Sequence, residues 1–259
     1  MSRPPRRTAA ADLPEVNFSD YRDVRSLHLG SIWIQGSMRI DAPDDIELEY
    51  VQRMMAWLLF VDAPSVLRRH AMQLGLGAAA LTKFSRRKLR MHTTAIELNP
   101  GVVHACRGWF KLPADDARLK VVVADAAVEI RKPGWAGRVD ALQVDLYDHE
   151  AAAPVLDSAD FYRDCRALLT DDGCMTVNLF GRDTRYARSL AQISEAFGDT
   201  AVWAFKPTRE GNTVVLAQRT PSRPDRATLA ARAEIVQTRW GLPAAKWLRV
   251  FKPVVASLE

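Results

Sequence analysis

Nothing in this chain marks it for a membrane, a disulfide framework or a metal cluster. Among its 259 residues stand three cysteines, Cys106, Cys165 and Cys174, an odd number with no C-x-x-C spacing. Neither a disulfide scaffold nor a thiolate zinc site is indicated. The five histidines lie far apart, so no metal is expected. No run approaches the roughly 18–20 apolar residues of a spanning helix, and the most apolar stretch, residues 54–61, is far shorter. The basic start lacks the apolar segment that follows in a secretory signal. The expectation is a soluble, cytoplasmic protein with reduced cysteines in its core. Aromatic residues make up only 8%, and no aromatic-rich motif supports nucleic-acid binding. The charge excess is mild, 36 Lys plus Arg against 31 Asp plus Glu. The basic runs at 3–7, 86–90 and beyond Thr220 read as solvated faces or a flexible arm.

What is present is enough apolar material, 48% of the chain, for one large core. Residues 1–20 carry Pro4, Pro5 and Pro14 among charges and small residues and predict a disordered arm. Residues 27–40 alternate apolar and polar around Gly36-Ser37, which predicts a β-hairpin. Residues 48–61 predict a helix, and together 21–62 form a small N-terminal unit. From 63 to 220, β-type runs alternate with helical segments, the signature of a parallel sheet covered on both faces. The runs are 70–74, 93–98, 119–124, 139–144, 174–179 and 201–205. A seventh, 213–217, follows after a loop too short for a parallel crossover, so it is predicted antiparallel. The fold class is therefore α/β, a Rossmann-like, seven-stranded, mostly parallel sheet with an antiparallel last strand. Residues 221–259 predict a helical extension.

Four clusters carry chemistry. Leu74-Gly75-Leu76-Gly77-Ala78 joins the first run to a helical segment at 78–87. Glycines there permit a sharp bend, and the helix N-terminus offers free N–H groups; a plain structural turn uses the same residues. Glu97 ends the next strand 20 residues beyond Gly77, where an acid can accept both ribose hydroxyls of an adenosine ligand. Asn99-Pro100 beside it predicts a helix start. Asp125 closes the third strand, placed either to accept from an exocyclic amine or to cap the helix at Ala126. Asp145 and Asp148 sit in the loop after the fourth strand, where an acid can hold a cationic amine and take its proton.

Taken in order, these features resemble the spermidine synthase family, the polyamine aminopropyltransferases, a branch of the S-adenosylmethionine-dependent methyltransferase superfamily. The resemblance covers roughly residues 27–218. It rests on the hairpin with Gln35, the helix opening at Tyr50, and LGLG, IELN, VVVADA and DLYD. It extends to DSADFYRDCRALLTDDGCMTVNLFG and PTREGNTVVLAQ. It implies that Gln35, Gly75, Gly77, Glu97, Asp125, Ala126 and Asp145 line a nucleoside site. It further implies that Asp148 is the catalytic aspartate and that Tyr50 helps orient the amine. Two positions depart from the family pattern. Ala78 stands where the family's turn carries an aspartate for the cofactor's aminopropyl nitrogen, and Val51-Gln52 follow Tyr50 in place of His-Glu.

The function implied is aminopropyl transfer from decarboxylated S-adenosylmethionine to a small amine or other polar acceptor. Methyl transfer from S-adenosylmethionine is the alternative within the same fold. A non-catalytic nucleoside-binding relative and an NAD-dependent dehydrogenase, whose fingerprint Gly75-x-Gly77-x-x-Ala80 also satisfies, are the other classes. A homodimer is left open by the sequence.

Overall fold

A computed structural model of the chain describes residues 13–147, 156–180 and 184–255. Two sheets are present: a three-stranded antiparallel sheet (β1 Val16–Tyr21, β2 Val24–Leu29, β3 Ile34–Arg39) and an eight-stranded mixed sheet. The strands of the large sheet are β4 His70–Leu74, β5 His92–Glu97, β6 Leu119–Val123, β7 Val139–Val144, β8 Leu169–Phe180, β9 Val202–Phe205, β10 Asn212–Gln218 and β11 Phe251–Pro253. Their spatial order is β6-β5-β4-β7-β8-β10-β9-β11. From β6 to β8 all neighbours are parallel, whereas β10 runs antiparallel to both β8 and β9.

The centre of the large sheet is buried on both faces, and β10 shows why its sequence holds a continuous apolar run, residues 214–217. Side chains alternate across a strand, so Val214 and Leu216 join one core with Trp57, Leu58, Val236 and Trp247. Val215 and Ala217 join the other, with Val177, Phe161, Tyr162 and Ile193. The first face is covered by the 3-10 segment Ala56–Phe60 and by α7 (Arg226–Trp240) and α8 (Ala244–Trp247); the second by α5 (Ala159–Leu168) and α6 (Thr184–Phe197). A third core joins the small sheet to α3 (Pro100–Trp109) through Leu27, Met38, Ala105 and Phe110.

The structure revises the sequence expectations at five places. Strand β1 falls inside the segment expected to be a disordered arm, pairing with β2 from Val16↔Leu29 to Tyr21↔Val24; its side chains from Asn17 to Tyr21 are exposed, so no apolar pattern announces it. Gly36-Ser37 lie within β3, not at the hairpin turn, which falls at residues 30–33. The helix expected at 48–61 breaks into α1 (Glu49–Arg53) and the 3-10 segment. The Met54 carbonyl is taken by the Thr176 hydroxyl at 2.9 Å, and residues 54–59 are buried throughout, so an amphipathic helix has no solvent face to keep. The segment expected helical at 78–87 begins only with α2 (Ala80–Lys83), because Ala79 is left-handed at φ 58°, and it widens into a π-helical turn at Phe84–Lys88. Finally, β11 adds an eighth strand at the edge, too short to be read from alternation.

Candidate active site

Strand order places the topological switch at β4 and β7: the chain steps from β4 outward through β5 and β6, then returns to β7 on the other side of β4. In open α/β sheets ligands bind outside the carboxyl ends at this point. The residues there are Gly75, after β4, and Asp145, after β7. The two backbones approach so closely that a Cβ on Gly75 would lie 2.3 Å from the Asp145 carbonyl oxygen, and Gly75 has φ +89°. Gly77, at φ +49°, stands against the hairpin in the same way, its hypothetical Cβ 2.8 Å from the Gln35 carbonyl oxygen. Both glycines are therefore required by the protein's own backbone. The turn joins the hairpin, β4 and the β7 loop at one point.

Glu97, at the end of β5, is fixed by two backbone amides: Leu76 N–H donates to Oε2 at 2.9 Å and Asn99 N–H to Oε1 at 2.8 Å. Burial pushes its pKa up, and these donors pull it back. A carboxylate held this way presents its remaining lone pairs at the edge of the glycine turn. Asn99 caps α3 by accepting from Gly101 N–H, with Pro100 in the first turn, as the sequence suggests. Asp125 caps α4 (Ala126–Glu129), accepting from Ala127 N–H at 2.8 Å. Its carboxylate is exposed and Ala126 beside it is buried.

Asp145 is the most elaborated group. Its Oδ2 accepts from the Tyr50 hydroxyl at 3.2 Å, and its Oδ1 from Asn178 Nδ2 at 2.9 Å. Burial raises its pKa to about 6, against the pull of the Asn178 and Tyr50 hydrogen bonds. Asn178 Oδ1 in turn accepts from Asn212 Nδ2 at 3.1 Å, and its backbone carbonyl from the Tyr147 hydroxyl at 2.8 Å. Asn178, Asn212 and Tyr147 escape sequence reasoning. The available signal is Asn178 itself, a polar residue near the carboxyl end of an apolar strand and only 3% exposed.

At the two positions that depart from the family pattern, local packing has taken over. Ala78 is 2% exposed and lies beneath the hairpin; a Cβ on Gly36 would fall 2.6 Å from its nitrogen and 2.9 Å from its Cβ. The Gln52 amide donates to the Ile46 carbonyl at 2.7 Å. The structure thus brings Gln35, Tyr50, Gly75, Gly77, Glu97 and Asp145 together around the glycine turn. Asp125 sits at the mouth of the neighbouring strand, and Asp148 lies outside the described residues.

This fold, a mostly parallel sheet with antiparallel strands at one side, is of the methyltransferase-like kind. A probable spermidine synthase from Corynebacterium glutamicum superposes with TM-score 0.70 at 18% identity, covering 94% of this chain and 95% of that one. Human methyltransferase-like protein 13, in complex with SAH, superposes with TM-score 0.68 at 20% identity, over 75% and 93%. A spermidine synthase in complex with the transition state analogue AdoDATO gives 0.55 at 16%, over 88% of each chain. No family model matches. In sequence, the chain is 33% identical to a polyamine aminopropyltransferase of Neisseria meningitidis over 248 residues, 95% of this chain and 92% of the relative. It is 32% identical to one of Chromobacterium violaceum over the same shares. The chain belongs to the polyamine aminopropyltransferase family.

Proposed function

We propose that the chain moves an aminopropyl group from decarboxylated S-adenosylmethionine to a small amine. The observation that carries this reading is the Tyr50–Asp145–Asn178 cluster at the switch point, beside the glycine turn. It is a buried carboxylate held by two neutral donors, the Tyr50 hydroxyl and the Asn178 amide, and so is suited to receive a cationic amine.

The fit to a nucleoside rests on Glu97, whose two oxygens are aimed by the Leu76 and Asn99 amides, and on the glycine turn that packs against Gln35. When bound, the sulfonium supplies an electrophilic carbon. This chain's residues then do the rest. Glu97 accepts from the ribose hydroxyls. Asp145 holds the acceptor nitrogen through its carboxylate, with Tyr50 fixing the direction of Oδ2. Asp148, on the resemblance, takes the proton the nitrogen loses. Alignment of nucleophile and leaving group is the main demand of such a displacement, and removal of that proton is general-base work.

One observation favours methyl transfer as a second reading: Ala78 is covered by Gly36, so the turn has neither an acid nor room for one to hold a cofactor's tail amine. Calorimetric titration separates the two. Aminopropyl transfer predicts binding of decarboxylated S-adenosylmethionine at least as tight as that of S-adenosylmethionine. Glu97→Gln should weaken it about 10- to 100-fold, the worth of a hydrogen bond to a charged group. Binding of S-adenosylmethionine alone, or indifference to Glu97→Gln, overturns the reading.

A further inference from the structure

Asp145 is served from a distance. Strand β10 pairs antiparallel with β8 so that Val214 faces Asn178 and Asn212 faces Phe180. Asn212 is thus the diagonal neighbour of Asn178 on the same face of the sheet, within reach of a side-chain bond. The order of donors along the chain of contacts is forced. An ionised Asp145 only accepts, so Asn178 must present Nδ2 to it. Its Oδ1 then points to the strand's neighbour, and only a donor can stand there. Asn212 supplies that donor, Nδ2 at 3.1 Å. Asn212 is itself held at both backbone groups by one residue of the preceding loop. Its N–H donates to the Thr208 hydroxyl at 3.2 Å, and its carbonyl accepts from Thr208 N–H at 2.7 Å.

The geometry points to Asn212 as a positioning residue for the transfer site: it locks the Asn178 amide in the one orientation that donates to Asp145. This inference rests on the proposed role of Asp145. It also ties the site to the β9–β10 loop, whose Lys206 carbonyl accepts from the buried Arg53 of α1 at 2.6 Å. The helix carrying Tyr50 and the loop that leads into Asn212 are therefore fastened to each other.

Among the described residues the titratable groups facing Asp145 are Tyr50, from α1, and Tyr147, from its own loop. Burial pushes both hydroxyls upward, so neither changes charge between pH 4 and 9. Asp145 itself is the group that a misoriented Asn178 would affect. Without the donor at 212 the amide is free to turn, and its oxygen would oppose the carboxylate. The titration midpoint of Asp145 should then rise.

The test is the Asp145 carboxyl titration, followed by carbon NMR in protein labelled at the aspartate carboxyl carbon and assigned with Asp145→Asn. Loss of one hydrogen bond to a charged group corresponds to about one pH unit. Asn212→Ala and Asn178→Ala should each raise the midpoint by about that amount. The double variant should raise it no further, since Asn212 acts only through Asn178. Asn212→Leu, which keeps the volume without the donor, serves if the alanine variant fails to fold. In turnover, Asn212→Ala should lower kcat about tenfold with the nucleoside's KM within twofold of wild type, and the acid limb of the pH profile should follow the shifted midpoint. An unshifted midpoint, or additive shifts in the double variant, overturns the inference. A wild-type chain that transfers no aminopropyl group refutes the proposed function alone, because the titration is read without turnover.

Discussion

At the scale of the residue, Asp145 combines a cost and a use. Its carboxyl is pushed to about 6 from an unfolded value of 3.8. Between those values the folded chain holds a proton that the unfolded chain has released, so stability falls as pH rises from about 4 to 6 and then levels off. At about 1.4 kcal/mol per unit the loss is roughly 3 kcal/mol. Asp145→Asn removes the titration. The variant should melt above wild type at pH 8, by a margin that opens between pH 4 and 6, while losing transfer activity. Thermal melts across that range check it; a variant less stable at every pH would make the carboxylate a net structural tie. Glu97 was legible at this scale because an acid at a fixed interval from a glycine turn has a simple meaning. Asn178 and Asn212 were not, because their role arises only from the pairing of β8 with β10, strands far apart in sequence.

At the scale of the element, the central strands of the large sheet were readable because burial on both faces leaves short apolar runs, as at residues 214–217. The antiparallel β10 was readable from loop length alone, and α3 from its Asn99-Pro100 start. The broken helix after Tyr50 was not, because the contact that breaks it, Thr176 on the Met54 carbonyl, comes from β8. Nor was the docking of the hairpin onto the glycine turn, which depends on Gly36. Gly36→Ala places a Cβ 2.6 Å from a backbone nitrogen, a clash that a rotamer change cannot relieve, with overpacking costs of about 1–3 kcal/mol. We expect the hairpin to shift from the turn and nucleoside affinity to fall about tenfold, while the large sheet still melts cooperatively. Calorimetry and a thermal melt together check this. Unchanged affinity would mean that the hairpin forms no wall of the site.

At the scale of the whole molecule, part of the mild positive charge is paired where it stands. The basic run of α2 and its π-helical turn is matched by acids: Arg86 with Asp116, Arg87 with Asp44 and Lys88 with Asp45. Exposed pairs of this kind add little stability, but each sets an acid against a base of the run. No helix among the described residues is long and apolar enough to cross a membrane. Family membership and the Tyr50–Asp145–Asn178 cluster beside the glycine turn are the grounds for the proposed aminopropyl transfer. The most direct test is mass spectrometry of the products after incubating the chain with decarboxylated S-adenosylmethionine and a diamine. The account predicts methylthioadenosine together with a diamine heavier by one aminopropyl group, both reduced at least about 100-fold by Asp148→Asn. Absence of that adduct, with a methylated acceptor formed from S-adenosylmethionine in its place, would contradict it.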